Sequence, residues 1–492
     1  MNIKGANVKG LSVFPVTEKA LLPCNHKYGA ITTWSQCTDT IQVGYANGEI
    51  NAFKNNLQAT AFVSPVYPGV DTLNIYNSKR IGLGIYFQTE YWQNPVTHAN
   101  EVISDFNSAI WTQAGADSGL IAQGLVGTAK TVGYPQHGQQ MFDLTSGLYG
   151  YDAINDVVGT IDVLAPYIQY NLDWFKSLTG RYPSCASYGY GRVGGAYKMY
   201  DYFLGCRNSA YDYESNYNFN HLASTIRATT TRQHDMMLDL SKTRAEVQAL
   251  CIGYLQNAIA NNGWYTDFTH WHSTIDTEMT EYYANQRATI GSSDVITLDF
   301  GTALEHKFLR DMVRRISIYT EGTQLVLVVD IKNNDELKLD CIETPLSVDV
   351  DLTSTILEGK EIVGISDKGI RKLGTNHFSV EVPYGKSDGF QTVTLSETVT
   401  PAYLDFALPT ISSVTKVTSN TVSVVTNKPT NVVLFSVTRG GQLYTATILK
   451  RDSTMSLNHS VDVTGIDFSV LDIYVGVITK EKQSVLSNAY QL

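Results

Sequence analysis

The residues best suited to chemistry lie in one short stretch, Asn261 to Ser273, where a helical pattern stops and an apolar, strand-like run ends in two histidines. His270 and His272 are two positions apart, so they fall on one face of a strand and Trp271 falls on the other. In parallel α/β folds the carboxyl ends of strands carry the chemistry. The stretch therefore predicts a functional site at such an end. The alternative is that the two histidines only cap a sheet edge beside a core tryptophan.

Other predicted strand ends carry further candidate groups. Cys37 and Asp39 follow a first strand, and His137 follows a short strand at 131–134. The side chains that we predict to line a sugar-sized cleft are Tyr188, Tyr190, Arg192, Trp264 and Trp271. Flat aromatic faces suit the apolar faces of sugars. The alternative is that two or three of these aromatic side chains lie in the core.

Strands alternate with helices between residues 28 and 315, a pattern typical of parallel βα repeats. The segment up to Lys79 that follows the first strand is rich in Asn, Gly and Pro and is predicted to be a decorated loop. Gly180 is predicted to end one helix as a C-cap, and Ser241 to begin another as an N-cap. The principal predicted elements are strands at 28–35, 80–87 and 267–273 and helices at 98–114, 153–178, 194–203, 241–262 and 305–315.

The hydrophobic period changes from helix to strand near Ile316, which predicts separate β modules after the βα repeats. The fold class is thus multi-domain, α/β followed by all-β. About seven short strands are predicted in the last module, which fits an immunoglobulin-like or fibronectin-like β-sandwich. The predicted organisation is an irregular amino-terminal segment (1–27), a domain of parallel βα repeats (28–315), an all-β module (316–400) and the sandwich (401–492), which begins with a linker at 401–409.

Composition limits the classes of function. The chain has 492 residues, a net charge of −11, only 17% charged residues and 30 tyrosines. Sparse charge with many tyrosines suits glycan contact or permanent assembly, whereas nucleic-acid binding needs clustered Lys and Arg. Residues 1–10 lack the apolar stretch of a secretory signal, and no apolar run is long enough to cross a bilayer. The six cysteines show no metal-binding spacing, which predicts reduced thiols from synthesis in a cytoplasm.

Two of these features together resemble the polysaccharide deacetylase family, the NodB-type fold. The stretch from Thr179 to Pro183 resembles the family's T-G-x-x-P motif, and the His-Trp-His strand resembles its last catalytic motif. The resemblance covers roughly residues 29–315. It implies a distorted (β/α) barrel with a divalent metal held between an Asp and an H-x-x-x-H pair. It also implies that His270 or His272 takes the place of the general acid.

The chain departs from the family at the ligands themselves. Where the family has T-F-D-D-G, residues 33–37 read Thr-Trp-Ser-Gln-Cys, and Asp39 is out of register. Where the family has H-x-x-x-H, His137 is followed four positions later by Met141. One imidazole with a thioether cannot hold a hydrolytic metal. We therefore predict no cofactor, with Cys37 and His137 the remaining candidates for a metal. Asp39, His137, His270 and His272 are then vestiges of a catalytic set.

A scaffold that keeps its fold but has lost the residues that bind the metal indicates reuse for binding or architecture. With no export signal and tandem β modules, the sequence predicts a structural virion protein made in a host cytoplasm, a component of a bacteriophage tail or head fibre. Its expected partners are other virion proteins or further copies of itself, and a host cell-surface glycan. The alternative that stays open is an active carbohydrate esterase or deacetylase that acts on cell-surface polysaccharide.

Overall fold

The structure, a computed structural model, describes the following residues: 13–14, 18–19, 31–37, 42–63, 81–87, 169, 172–188, 203–209, 228–233, 243–260, 264–270, 277–291, 296–331, 341–365, 369–383 and 389–492. Several predicted elements lie wholly or mostly outside these residues, namely the helices at 98–114 and 194–203, the strand at 131–134 and the first part of the helix at 153–178.

A closed ring of parallel strands forms the first large unit. Each strand pairs in parallel with the next one, and β9 pairs with β3, which closes the ring. A further strand, β10 (Ile296–Leu298), pairs in parallel with the first half of β3. The strands of the ring are β3 (Ile31–Cys37), β4 (Ala59–Val63), β5 (Ile81–Phe87), β6 (Cys185–Tyr188), β7 (Gly205–Ser209), β8 (Ala228–Gln233) and β9 (Trp264–His270).

This arrangement is the one expected of βα repeats, because parallel neighbours need crossover connections. Its assignment to the NodB type stays a prediction. The helices that accompany the ring are α1 (Gln42–Asn55), α2 (172–179), α3 (Arg244–Ala260), α4 (Thr277–Ile290) and α5 (Phe300–Met312).

Local capping chemistry explains where several helices begin and end. Gly180 follows α2 with φ +81°, a conformation that favours glycine, and its N–H donates to Lys176 O at 2.8 Å. The predicted C-cap is therefore confirmed. The predicted N-cap Ser241 is wrong by two positions. Thr243 caps α3 in a reciprocal box, because its N–H donates to Glu246 Oε2 at 2.7 Å and its Oγ1 accepts from Glu246 N–H.

Helix α1 and strand β4 lie in the segment that was predicted to be a decorated loop, so that prediction is wrong. Gly and Asn within α1 disfavour a helix in isolation. Tertiary burial supplies the missing stability, since Ile50, Ala52 and Phe53 are all completely buried. Ile50, Phe53 and Leu57 are spaced three and four apart, the signal in the sequence that predicts a helix here.

The middle module has two sheets around one core. Leu325 and Leu327 of the first sheet pack with Val348 and Phe378 of the second in a single buried cluster. The first sheet has the order β1-β11-β12-β17-β14 and the second β15-β16-β13-β2. Their strands are β1 (Val13–Phe14), β2 (Glu18–Lys19), β11 (Val313–Glu321), β12 (Gln324–Ile331), β13 (Leu346–Asp351), β14 (Ile362–Ile365), β15 (Ile370–Lys372), β16 (His377–Val382) and β17 (Gly389–Glu397).

The amino-terminal strands belong to this middle module. β1 pairs with β11 and β2 pairs with β13, both antiparallel. The segment predicted to be irregular thus adds a strand to each sheet. The ring, which lies between β2 and β11 in the chain, is inserted into the middle module and is connected to it at both ends.

The C-terminal module has five strands in one hydrogen-bonded sheet, whereas about seven short strands were predicted. The two runs predicted at 421–425 and 432–438 form one long strand with a register shift. Its first half pairs with β18 and β20, and its second half with β20 and β21. The strands are β18 (Ile411–Thr418), β19 (Thr421–Thr438), β20 (Thr447–Asp462), β21 (Leu471–Ile478) and β22 (Ser484–Leu486). An immunoglobulin-like topology is not confirmed.

The predicted linker at 401–409 packs against both of its neighbours. Leu404 N–H donates to Ile370 O at 2.7 Å, and Lys428 Nζ lies 2.5 Å from Asp405 Oδ2. The linker therefore joins the middle and C-terminal modules through specific contacts. Among the helices in the described part of the chain, none is both long and apolar enough to cross a membrane.

Candidate functional site

The candidate site is the edge of the ring at which the parallel strands end, here called the carboxyl rim. Because all strands of the ring run in the same direction, their last residues meet at this edge. The last residues of the ring strands are Cys37, Val63, Phe87, Tyr188, Ser209, Gln233 and His270.

The backbone register brings two of the predicted site residues together. Cys37 ends β3 and His270 ends β9, and the two residues are direct Cα partners. Tyr188 ends β6 and is the partner of Phe87 on β5. The rim therefore carries a cysteine and a histidine on neighbouring strands, with a tyrosine elsewhere on the same edge.

Trp264 does not join this group. It is the first residue of β9 and pairs with Ile31, the first residue of β3. A strand rises about 3.3 Å per residue, so the length of β9 separates Trp264 from His270. The direction of β9 therefore places Trp264 at the edge of the ring opposite to Tyr188, and the prediction that the two residues line one cleft is wrong.

The remaining predicted site residues lie outside the described residues: Asp39, His137, Tyr190, Arg192, Trp271 and His272. In the described part of the chain, no three His, Cys, Asp or Glu residues are grouped closely enough to hold a metal ion. Because Asp39 and His137 are not described, the predicted absence of a metal stays a prediction.

The opposite edge of the ring, where the strands begin, is packed against α5. Phe300 N–H donates to Thr60 Oγ1 at 2.6 Å, next to the beginning of β4. Gly301 lies so close to the start of β6 that an added Cβ would come within 2.8 Å of Ser184 Oγ. Phe300 also shares a buried cluster with Cys185 and Leu204 at the amino ends of β6 and β7. Helix α5 therefore covers the edge at which these strands begin.

Asp299 caps α5 at this covered edge. Its Oδ1 accepts the Thr302 N–H at 2.9 Å, and its Oδ2 accepts the Thr302 hydroxyl at 2.5 Å. Burial raises the pKa of Asp299 above its usual value, although the bonds from Thr302 act to lower it. The carboxylate has a structural role here, because its acceptor atoms are used by the first turn of the helix.

Arg181, the arginine within the motif that resembles the deacetylase T-G-x-x-P, also lies at the covered edge. Its Nη1 donates to Glu305 Oε1 at 2.9 Å and to Cys341 O at 2.8 Å, and its Nε lies 3.0 Å from Glu343 Oε2. Burial acts to lower the pKa of Arg181, but the carboxylates of Glu305 and Glu343 outweigh burial and hold it above its usual value. Arg181 thus links the ring to the middle module.

Sequence reasoning missed a second link, which joins α1 to the C-terminal module. Arg451 on β20 forms a two-bonded ion pair with Glu49 on α1, with both N–O distances 2.5 Å. Phe53 and Phe435 pack edge to face beside it, with ring centroids 5.9 Å apart. The apolar spacing in α1 was the available signal for this surface, whereas nothing in the sequence pairs Glu49 with a residue 402 positions away.

No protein-family model matches the chain, and no curated protein matches it either. Among solved structures, the chain is similar to a protein from Mycobacterium smegmatis that is provisionally identified as a polysaccharide deacetylase. The two share 10% identity over 61% of this chain and 96% of the other, with a TM-score of 0.34. A score this low does not establish a common fold. Membership of the deacetylase family therefore stays a prediction.

Proposed function

We propose that this chain is a structural protein of a bacteriophage particle, a tail or head fibre component whose ring binds host cell-surface glycans without cleaving them. The observation that carries the proposal is that the ring is built into its β modules at several points. An enzyme domain on a flexible tether would not need such links, whereas a part of an assembly that transmits force does.

Three connections support this rigid construction. The ring is inserted between β2 and β11 of the middle module. Arg181 and Glu305 join the covered edge of the ring to residues 341–344, which lead into β13. Glu49 and Arg451 join α1 to the C-terminal module. The last two connections use buried or half-buried polar groups with specific partners, so the units resist relative motion.

The rim supplies the proposed binding surface. Helix α5 covers the opposite edge, so a ligand approaches the ring from the ends of its strands. Tyr188 is placed there by β6, and Trp271 and His272 directly follow the last residue of β9 in the sequence. Each stacked aromatic ring contributes on the order of 1 kcal/mol. Single sites of this kind bind at about millimolar strength and become useful when displayed in several copies.

A glycan array with the oligomerised full chain tests the binding part of the proposal. We expect Trp271→Ala with Tyr190→Ala to lower glycan binding by at least about tenfold, the loss of roughly 1.4 kcal/mol. Trp264→Ala is the matched control, because Trp264 is the first residue of β9 and therefore lies at the edge opposite to the rim. Binding that is equal in all variants, or absent from the wild type, would contradict the proposed ligand.

The structural part is tested on particles. Antibodies raised against the C-terminal module should label a tail or head fibre in electron micrographs of purified virions. Protein that is recovered from lysates but absent from every particle would rule out the assignment to a fibre and leave the glycan result to stand alone.

A second candidate function, a carbohydrate esterase, is favoured by the adjacent positions of Cys37 and His270 at the rim. If the chain were an esterase, it would release acetate from an acetylated polysaccharide, and His270→Ala would abolish the release. We expect no release and, by elemental analysis of protein purified without chelator, no stoichiometric divalent metal. Near-stoichiometric zinc that is lost in His137→Ala would favour the esterase instead.

A further inference from the structure

The first sheet of the middle module has one face that points away from the core, here called the outer face. Successive side chains of a strand alternate between its two faces. Leu325, Leu327 and Val329 of β12 lie in the buried cluster, so the side chains between them point outward. The cross-strand register extends the outer face from β11 to β14. Its members are Arg315, Ser317, Tyr319 and Glu321 of β11, Gln324, Val326, Val328 and Asp330 of β12, Thr392, Thr394 and Ser396 of β17, and Val363 and Ile365 of β14.

The middle of the outer face carries apolar and hydroxyl side chains. Ile365 is 63% exposed and Val363 is 41% exposed. Tyr319 is half-buried, and Val326 is buried between its cross-strand partners Tyr319 and Thr394. The outward side of an antiparallel sheet is polar when it faces water. An apolar patch with a polar rim instead indicates a surface that makes contacts.

The charged side chains of the outer face lie at its two ends. Among the described members of this face, Arg315 and Asp330 lie at one end and Glu321 lies at the other. Asp330 lies 3.8 Å from Arg314 Nη1, so the first end carries two arginines and one carboxylate. Arg315 and Glu321 are both exposed. They are six residues apart on one strand, a distance of roughly 20 Å, so they cannot bind each other within one chain.

A second copy of the chain complements this distribution of charge. Sheets that pack face to face keep their strands nearly aligned. We consider a twofold axis that lies between two such sheets, crosses the strands and passes level with Ile318. It sets β11 of one copy antiparallel to β11 of the other, so Arg315 faces Glu321 of the second copy. A chain with a net charge of −11 repels its own copy, and an apolar face with opposite charges at its ends opposes that repulsion.

The size of the outer face fits a weak dimer. Five strands about 4.8 Å apart and seven residues long cover roughly 24 Å by 23 Å, so two copies bury about 1,100 Å² in total. A specific interface needs about 1,000 Å², and contacts near this limit are transient. The dimer is therefore expected to exchange with the monomer.

We propose that the chain forms a twofold dimer through the outer face of this sheet, with Arg315 of each copy bound to Glu321 of the other. Ile365 lies level with Tyr319 in the sheet register, one residue from the axis. The two copies of Ile365 therefore pack side by side across the axis. The contact involves no residue of the ring, so it holds whether or not the rim binds a glycan.

Sedimentation velocity of the full chain at several concentrations tests the apolar part of the contact. We expect a reversible dimer with a Kd on the order of 10 to 100 µM. Ile365→Lys places two like charges beside each other across the axis and should weaken the dimer at least about tenfold. Val417→Lys is the matched control, because Val417 is 62% exposed and lies in the C-terminal module, so this variant should dimerise as the wild type does.

Charge reversal tests the orientation of the two copies. Arg315→Glu and Glu321→Arg each create two like-charge pairs in the dimer, so each variant alone should dimerise about tenfold more weakly. An equimolar mixture of the two variants restores both opposite-charge pairs and should form a heterodimer as stable as the wild-type dimer. Both positions are exposed, so the variants should keep the wild-type fold, which circular dichroism verifies.

Three results would overturn the proposal. The first is a wild-type chain that stays monomeric up to about 1 mM. The second is a dimer that Ile365→Lys and Val417→Lys weaken equally, which would place the contact elsewhere. The third is a mixture of Arg315→Glu with Glu321→Arg that dimerises no better than either variant alone. A monomeric wild type whose binding on a glycan array is lost in Ile365→Lys would assign the outer face to a glycan instead.

Discussion

The two helices that join the ring to its β modules use the same pair of residue types at different depths. At the junction of α1 with β20, Glu49 of α1 is 0% exposed and Arg451 of β20 is 8% exposed, and the two form a two-bonded pair. On α5, Glu305 is 1% exposed, but its partner Arg181 is 26% exposed. The difference lies in how the buried carboxylate is satisfied.

Glu305 does not depend on Arg181 alone. Its Oε2 also accepts the N–H groups of Glu343 and Thr344, both at 2.9 Å, and the Thr344 hydroxyl at 2.7 Å. At Glu49, both carboxylate oxygens are bonded to the Arg451 guanidinium. A buried charge costs most when a single partner carries its compensation. The α1 junction should therefore fail sharply on one substitution, whereas the α5 junction should weaken in steps.

The largest expected effect is that of Arg451→Ala. It leaves the Glu49 carboxylate buried without its two-bonded partner, so we expect the free energy of unfolding to fall by about 3 to 5 kcal/mol. Urea unfolding monitored by fluorescence measures this loss. The double variant Glu49→Leu with Arg451→Met removes both charges and should recover most of the stability. A double variant as unstable as the single one would show that the pair itself, rather than the unpaired charge, holds the junction.

Glu305→Ala comes next, with an expected loss of about 2 kcal/mol. The substitution removes the acceptor for Arg181 and for the Thr344 hydroxyl, yet Arg181 keeps Cys341 O and Glu343. Glu343→Ala is the matched control, because Glu343 is 66% exposed and should cost less than about 0.5 kcal/mol. Equal losses from the two variants would contradict the distinction between the buried and the exposed carboxylate.

Gly476→Ala tests the apolar part of the α1 junction. An added Cβ would lie 3.0 Å from atoms of both Phe53 and Phe435, so the edge-to-face pair would have to shift. We expect a loss of about 1 to 2 kcal/mol, typical of overpacking in a filled core. Gly253→Ala is the control, since an added Cβ there meets nothing within 4 Å and the position is helical. A neutral Gly476→Ala would mean that the two modules separate easily at this surface.

The sequence predicts the parts of this fold that depend on neighbouring residues. The strand 80–87 and the capping glycine Gly180 follow from local pattern. Helix α1 was missed because its glycines and asparagines disfavour a helix locally, and its stability comes from contacts with the distant C-terminal module. The Glu49–Arg451 pair and the insertion of the ring have no local signal at all, because they depend on long-range pairing.

The candidate site likewise contains residues whose position the sequence predicts and one residue whose position it does not. The order of strands predicts that Cys37, Tyr188 and His270 share one edge, and the register places them there. Trp264 was grouped with them by residue type, and only the direction and length of β9 reveal that it lies at the other end. A residue's position within its strand thus carries more information about a site than its chemical type.

The smallest expected effect concerns the linker, a third junction whose central contact is a tyrosine. The Tyr403 hydroxyl donates to Glu361 Oε2 at 2.8 Å and accepts the Ile362 N–H at 2.9 Å. Burial raises the pKa of Tyr403 to about 12; the Ile362 N–H acts to lower it, and the Glu361 carboxylate raises it further.

The sign of the resulting pH effect follows from the direction of this shift. The phenol is neutral when folded at a pH at which an unfolded tyrosine, with a pKa of about 10, ionises. Its contribution is therefore complete below about pH 10 and is lost as pH rises towards 12. Tyr403→Phe should cost under about 1 kcal/mol near neutral pH and remove this part of the alkaline decline, as urea midpoints between pH 9 and 11.5 would measure. Glu361→Gln keeps an acceptor without the charge, so it should reduce the decline without abolishing it. An alkaline decline that is unchanged in Tyr403→Phe would show that the linker contributes nothing to the pH dependence of stability.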